Sequence, residues 1–292
     1  MGGLGRNGFG FDEQAFRDYI AAFNRNDFDE LGRYYAQDVE FEGRAATLHG
    51  REELLRFYQG VKSRIRETIA IQDIVAGERA LVADLITELH PLEDWPDFPT
   101  GPLRKGETRC SQNFVWYDLA DGRFVRIRAA NYRRGASLVL EPRAPATEQA
   151  RALNYGTPSQ TRKMTVDEFA AYIDAFNRDD YDGFSKYYHP EVVLVIGGQH
   201  EMRGAQVICD FYRRVKAQTH RTIRVRNFVN APDRIAAELE SEFLALEDAP
   251  DFPMGPMNKG DRIFMHTVVL YELRDGRFVR IRSAALRKLY RS

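Results

Sequence analysis

Histidine and carboxylate side chains are the groups in this chain best suited to moving protons. His266 lies in a run of alternating residues, Phe264, His266, Val268 and Leu270, that share one face of a strand. An imidazole among apolar neighbours can give or take a proton near neutral pH, which suits transfer to or from a hydroxyl or an acidic carbon. It can equally be a core histidine with both nitrogens satisfied. Glu238, Glu240 and Glu242 alternate in the same way and look like a carboxylate cluster. Ala237, Leu239, Ser241 and Phe243 hold the opposite face, however, so the glutamates are expected to point outward against Arg280 and Arg282. His90 shares the outward parity of Asp84 and Glu88, and His49 and His200 fall in loops ahead of a helix, where they could rim a pocket.

Other chemistries lack their signatures. There is no histidine pair at helical spacing, no Cys-x-x-Cys, no glycine-rich phosphate loop and no Gly-x-Ser-x-Gly elbow. Neither a metal nor a cofactor is therefore expected. Lys and Arg (42) nearly balance Asp and Glu (43), which argues against nucleic acid or an acidic membrane as partner. Cys110 and Cys209 are not equivalently placed and read as free thiols. With no membrane-length apolar run and no signal pattern in the glycine-rich start, a cytoplasmic protein acting on a small molecule is the expectation.

The elements that must position these groups are written twice. Tyr19-Ile-Ala-Ala-Phe-Asn-Arg25 returns as Tyr172-Ile-Asp-Ala-Phe-Asn-Arg178, and from Gly50 and Gly204 onward 35 of 85 paired positions are identical without a gap. The reading is a first domain at 1–134, a linker at 135–163 rich in Pro, Gly and Ser, and a second domain at 164–292. In the first copy the spacing of apolar residues predicts helices over 12–24, 28–35 and 52–63, a strand over 39–42 and a polar loop to Gly50. Period-two strands follow over 68–75, 80–90, 108–119 and 124–132. Asp121-Gly122 and Asp275-Gly276 mark tight hairpins, and Asp-Phe-Pro-x-Gly-Pro recurs at 97–102 and 251–256 in a longer connection. Helices followed by antiparallel strands make an α+β domain.

This order, with Tyr-Ile-x-Ala-Phe-Asn, Phe-Tyr in the third helix and the Pro-x-Gly-Pro hairpin, resembles the nuclear transport factor 2-like (NTF2-like) superfamily of SnoaL-like polyketide cyclases and ketosteroid isomerases. The resemblance covers both copies. It implies two cone-shaped α+β barrels, each of three helices on a curved, mostly antiparallel sheet, joined as an internal pseudo-dimer that could assemble further. It also implies an apolar interior that holds the substrate.

Laid on ketosteroid isomerase, three hydrogen-bonded tyrosines fall at Tyr19, Tyr35 and Tyr58, and again at Tyr172, Tyr188 and Tyr212. Such a donor can stabilise an oxygen that gains charge, and a helical tyrosine can also be a plain core aromatic. The isomerase base falls at Gly43 and near Ile196, so steroid isomerisation is not expected. Its oxyanion-hole aspartate falls at Gln112 and His266, on the face of Cys110, Phe114 and Trp116 that the resemblance makes the pocket face. Asn131 has inward parity on the last strand of the first copy and could bind a ligand.

Two functional classes follow. One is a cofactor-independent lyase, dehydratase or isomerase for a hydroxylated, largely apolar, aromatic compound such as a polyketide-like or lignin-derived diaryl molecule. Its catalytic residues would be Tyr172, His266, Tyr188 and Tyr212, with Tyr19, Tyr35, Tyr58, Gln112 and Asn131 binding substrate. The other is a non-catalytic binding or scaffolding module.

Overall fold

The structure, a computed structural model, describes residues 11–134 and 163–291. It divides into two compact units, Met1–Pro145 and Ala146–Ser292. All but the last residue of the expected linker lie outside the described residues.

The first unit opens with α1 (Glu13–Arg25), capped by the Asp12 carboxylate, which accepts from the Ala15 N–H at 2.8 Å. Phe16, Tyr19, Ile20 and Phe23 form its buried stripe. The Asn-Asp interruption is a stop followed by a restart. Asn26 turns left-handed at φ 60°, which its short polar side chain tolerates, and Asp27 caps α2 (Phe28–Tyr34) through the Glu30 N–H. Tyr35, expected to end that helix, instead begins β1 (Tyr35–Glu42). The expected polar loop contains β2 (Thr47–His49), paired antiparallel with β1. Three residues are too few to display a two-residue period, which is why it was not legible. Then come α3 (Arg51–Arg64), β3 (Ile65–Ala76), β4 (Ala80–Pro91), β5 (Arg109–Ala120) and β6 (Arg123–Arg134).

Strands β3, β4, β5 and β6 pair in sequence, all antiparallel, and β1 joins β6 in parallel. Register shifts at Ile71/Asp73, Gln112/Asn113 and Asp118/Leu119 bend the sheet, as bulges do. Its concave face meets the helices in a core that includes Phe16, Tyr19, Tyr35, Leu54, Tyr117 and Phe124. A second, smaller cluster forms where the Asp-Phe-Pro-x-Gly-Pro connection folds back, burying Phe98 and Leu103 against Val61 and Ile65. Gly101 there takes φ 109°, which a residue with a Cβ rarely adopts.

The second unit repeats this plan with α4 (Val166–Asn177), α5 (Tyr181–Ser185), β7 (Tyr188–Ile196), β8 (His200–Arg203), α6 (Ala205–Gln218), β9 (Thr219–Ala231), β10 (Arg234–Ala245), β11 (Arg262–Arg274) and β12 (Arg277–Arg291). A capping box of Thr165 and Glu168 starts α4. Strands β9 to β12 pair antiparallel, and β7 lies parallel to β12. Phe252 and Met257 occupy the places of Phe98 and Leu103, in a cluster with Val215, Phe243 and Ile263. The two tandem α+β cones expected from the sequence are thus present, each with its own core.

Candidate functional site

The hydroxyls of Tyr19 on α1 and Tyr35 at the start of β1 are 3.0 Å apart, and those of Tyr172 and Tyr188 are 3.3 Å apart. All four side chains are buried, and burial pushes each phenol well above its ordinary value. They stay protonated at physiological pH and serve as hydrogen-bonding groups, not bases. The third tyrosine of each set stands apart. Tyr58 on α3 packs edge-on against Phe23 and Tyr212 on α6 against Phe176, and among the described residues neither hydroxyl bonds to its pair. Each expected triad is therefore a pair plus a separate donor. Tyr117 on β5 and Tyr271 on β11 complete the wall, 6.2 Å from Tyr19 and 6.4 Å from Tyr172 between ring centroids. Their identity at matching positions was the signal that could have found them.

Two further repeated residues hold this arrangement. Asn24 clasps the Ile69 backbone, donating from Nδ2 at 2.9 Å and accepting at Oδ1 at 2.8 Å, and Asn177 makes the same pair of bonds with Ile223. Lys62 donates to the Phe23 and Glu67 carbonyls at 2.7 and 3.1 Å, and Lys216 reaches the Phe176 carbonyl and Asp179. Both lysines neutralise the C-terminal end of the first helix of their unit, where exposed carbonyls favour a cation. These repeated polar residues serve the scaffold.

The expected pocket face is corrected by the structure. On β5 and β11 the residues that enter the cores are Val115, Tyr117 and Leu119, and Val269, Tyr271 and Leu273. Gln112 and His266 have the opposite parity. Gln112 donates to both oxygens of buried Asp84 at 2.7 and 2.9 Å, and His266 Nε2 lies 2.8 Å from Glu240 Oε2. Arg226, and then His266, hold the Glu240 carboxyl below its usual range. His266 therefore does not meet Tyr172, and Gln112 does not meet Tyr19. The reason is that both faces of these strands are apolar, Phe114 and Trp116 being as buried as Tyr117, so alternation alone does not say which face turns inward.

The glutamates point away from the core as expected, and Asn227, Arg226 and Arg262 are partners of Glu238, Glu240 and Glu242. His90 sits beside Glu88 on the face away from the core, and His49 and His200 are exposed on β2 and β8. A groove of about 350 Å³ in the second unit, lined by Glu191, Glu201, Arg203, Glu272, Arg274 and Arg280, also lies away from the tyrosines.

Asn131 is on the inward face with Ile127 and Ala129, as expected, and it does not stand alone. Its Nδ2 donates to Asn113 Oδ1 at 3.1 Å, and Asn113 Nδ2 donates to Ser111 Oγ at 3.0 Å, a polar ladder inside the first cone. The matching positions in the second unit are Ala285, Thr267 and Met265.

The sharpest divergence falls on the strand that follows α3 and α6. Glu67 and Arg221 are paired positions, and each shares the inward parity of the core residues that follow, Ile69 and Ile71 or Ile223 and Val225. The Glu67 residue is only half-buried, yet its carboxyl is enclosed, and desolvation raises it to about 7 against the weaker pull of Lys62. Tyr58 combines an enclosed hydroxyl with residual accessible surface in the same way, the combination expected of groups that line an interior space. Arg221 lies over the Phe176, Tyr212 and Phe243 rings at 5.3, 5.5 and 4.8 Å, donates from Nη2 to Ser241 Oγ at 3.3 Å, and has a buried Nε with no acceptor. Its charge opposes the upward push of burial on the Tyr212 phenol. One cone thus holds a titratable acid and the other a cation of fixed charge at the same place.

Among the described residues no helix is long and apolar enough to cross a membrane, and no group of three or more His, Cys, Asp or Glu side chains is placed to hold a metal ion.

No curated protein matches the chain. Among solved structures it is similar to an LEH-like epoxide hydrolase of M. tuberculosis, with 14% identity over 40% of this chain and 78% of that one and a TM-score of 0.33. A SnoaL-like polyketide cyclase of Agrobacterium tumefaciens gives 21% identity over 40% and 87%, with a TM-score of 0.34. The model of the SnoaL-like domain matches residues 16–127 and again 169–281, most of the chain. The chain belongs to the SnoaL-like domain family and carries two of its domains in tandem.

Proposed function

We propose that this protein is an acid/base enzyme for a hydroxylated, largely apolar, aromatic small molecule, working without a cofactor and with proton transfer centred in the first cone. The observation that carries this is Glu67, an enclosed carboxyl at about 7 beside Tyr58, on the inward face of the first cone. A carboxyl poised near neutral pH exists in both forms, so it can remove a proton and return it within one turnover.

In a dehydration, Glu67 takes the proton from a carbon next to a carbonyl. Tyr58 donates a hydrogen bond to the carbonyl oxygen as charge develops there. The hydroxyl on the neighbouring carbon then leaves with the proton carried by Glu67, giving an alkene and water. The buried Tyr19–Tyr35 pair fixes the wall behind. A lignin-derived diaryl diol suits the same groups. Ionisation of a para-hydroxyl expels the benzylic hydroxyl as water to give a quinone methide. Removal of the proton from the remaining hydroxymethyl group then breaks a C–C bond, releases formaldehyde and returns the electrons to the ring. Aromatic catabolism in the cytoplasm, as a lyase, is the setting this reading gives.

The test is turnover of an aromatic β-hydroxyketone and of a para-hydroxylated 1,2-diarylpropane-1,3-diol, followed by product chromatography and formaldehyde release. Glu67→Gln is expected to lower kcat on the active compound by about 10²–10⁴-fold, the usual worth of a general acid or base. Tyr58→Phe is expected to fall less. Full turnover in a folded Glu67→Gln protein would remove Glu67 from the mechanism, and no turnover of either compound by the unaltered protein would leave the cones as binding modules.

A further inference from the structure

Arg221 has no use in the proton transfer assigned to the first cone, and its surroundings are unusual for a guanidinium. It projects from β9 to the inward side, where the Phe176, Tyr212 and Phe243 rings lie near its guanidinium. No carboxylate pairs with it among the described residues. The nearby Asp179 is engaged by Lys216, whose ammonium adds positive charge at the same end of the cone. Ser241 Oγ takes one N–H of Nη2 at a long 3.3 Å, and Nε, on the same edge of the guanidinium as Nη2, is buried without an acceptor.

A half-buried cation without a counter-charge is unfavourable, and its buried Nε donor without an acceptor adds to the cost. Three ring centroids lie within 5.5 Å of the guanidinium carbon, and the edge of Nε and Nη2 is the one short of acceptors. That edge has the geometry that meets both oxygens of a carboxylate. The walls beyond are apolar, with Phe211, Ile223 and Phe228 packed against the core and Thr267 and Ala285 where the first cone has asparagines.

From this we infer that the second cone is a binding site for an anionic aromatic or arylalkyl molecule, its carboxylate held by Arg221 and its ring body in the apolar interior. The inference rests on the reading of the cones as ligand sites but not on Glu67. The two cones would then hold different parts of the chemistry: a neutral, hydroxylated compound at the carboxyl of the first, and an acid at the guanidinium of the second.

The test is calorimetric titration of the full chain with 3-phenylpropanoate and with 3-phenylpropanamide, a matched pair that differs in charge. The acid is expected to bind at one site per chain with a Kd at least tenfold below that of the amide. Arg221→Gln is expected to abolish that preference, Arg221→Lys to keep part of it, and Glu67→Gln to leave it intact. Equal affinity for acid and amide, no binding of the acid, or a preference that survives Arg221→Gln overturns the inference. Should Arg221→Gln fail to fold, the acid–amide comparison on the unaltered chain, with Arg221→Lys, still decides it. Loss of turnover in Glu67→Gln bears only on the first cone, so failure of either reading is separable from failure of the other.

Discussion

Glu67 shows how one side chain can set both reactivity and stability. Below pH 4.5 its carboxyl is protonated in the folded and the unfolded chain alike, and the fold has its full stability with respect to this group. As the pH rises toward about 7, the unfolded chain ionises freely while the folded one must bury the charge, so stability falls. The difference between 4.5 and about 7 corresponds to about 3 kcal/mol. Glu67→Gln is therefore expected to be more stable than the natural protein at pH 8, by up to about 3 kcal/mol, with the gap closing by pH 4.5. Urea unfolding at the two pH values measures it, and identical curves at pH 8 would place the carboxyl in water. That a mutation should weaken catalysis and strengthen the fold is the trade expected of a group kept for chemistry. Nothing in the sequence marked Glu67 for this role. A single charged residue at the start of a strand reads as a surface group, and only the enclosure of its carboxyl says otherwise.

At the scale of elements, the repeated helix Tyr-Ile-x-Ala-Phe-Asn-Arg divides its work among its residues. Its tyrosine joins the buried hydroxyl pair, its phenylalanine fills the core, and its asparagine clasps the backbone of the first long strand. β3 pairs only with β4 within its unit, so Asn24 takes up backbone groups on the other side of that strand at Ile69. Asn24→Ala and Asn177→Ala are each expected to cost about 1–3 kcal/mol, read by thermal or urea unfolding, because two backbone groups lose their partners. Asn24→Asp should restore one bond of the two, since a carboxylate accepts but does not donate. An unchanged midpoint in Asn24→Ala would show that water replaces the clasp. The helices, long strands and tight Asp-Gly turns were legible because periodicity and turn chemistry are local. β2 and β8 were not, being held by pairing to β1 and β7 and not by any pattern of their own.

For the molecule as a whole, duplication supplied two scaffolds and divergence gave them opposite interior charges. Each charge is enclosed by its own unit's core, so Glu67→Gln and Arg221→Gln should act independently. Their effects on unfolding free energy are expected to add within about 0.5 kcal/mol in the double variant, and a larger coupling would reveal communication between the units. The sequence by itself determined the duplication, the α+β class, the order of the elements and the tyrosines that both copies keep, since these follow from identity and local period. The tertiary structure decided which face of β5 and β11 turns inward, and with it that His266 pairs with Glu240 while Glu67 and Arg221 enter the cones. Alternation gives two faces and no sign. When both faces are apolar, the sign is set by the bend of the sheet around its helices, which depends on residues far apart in the chain.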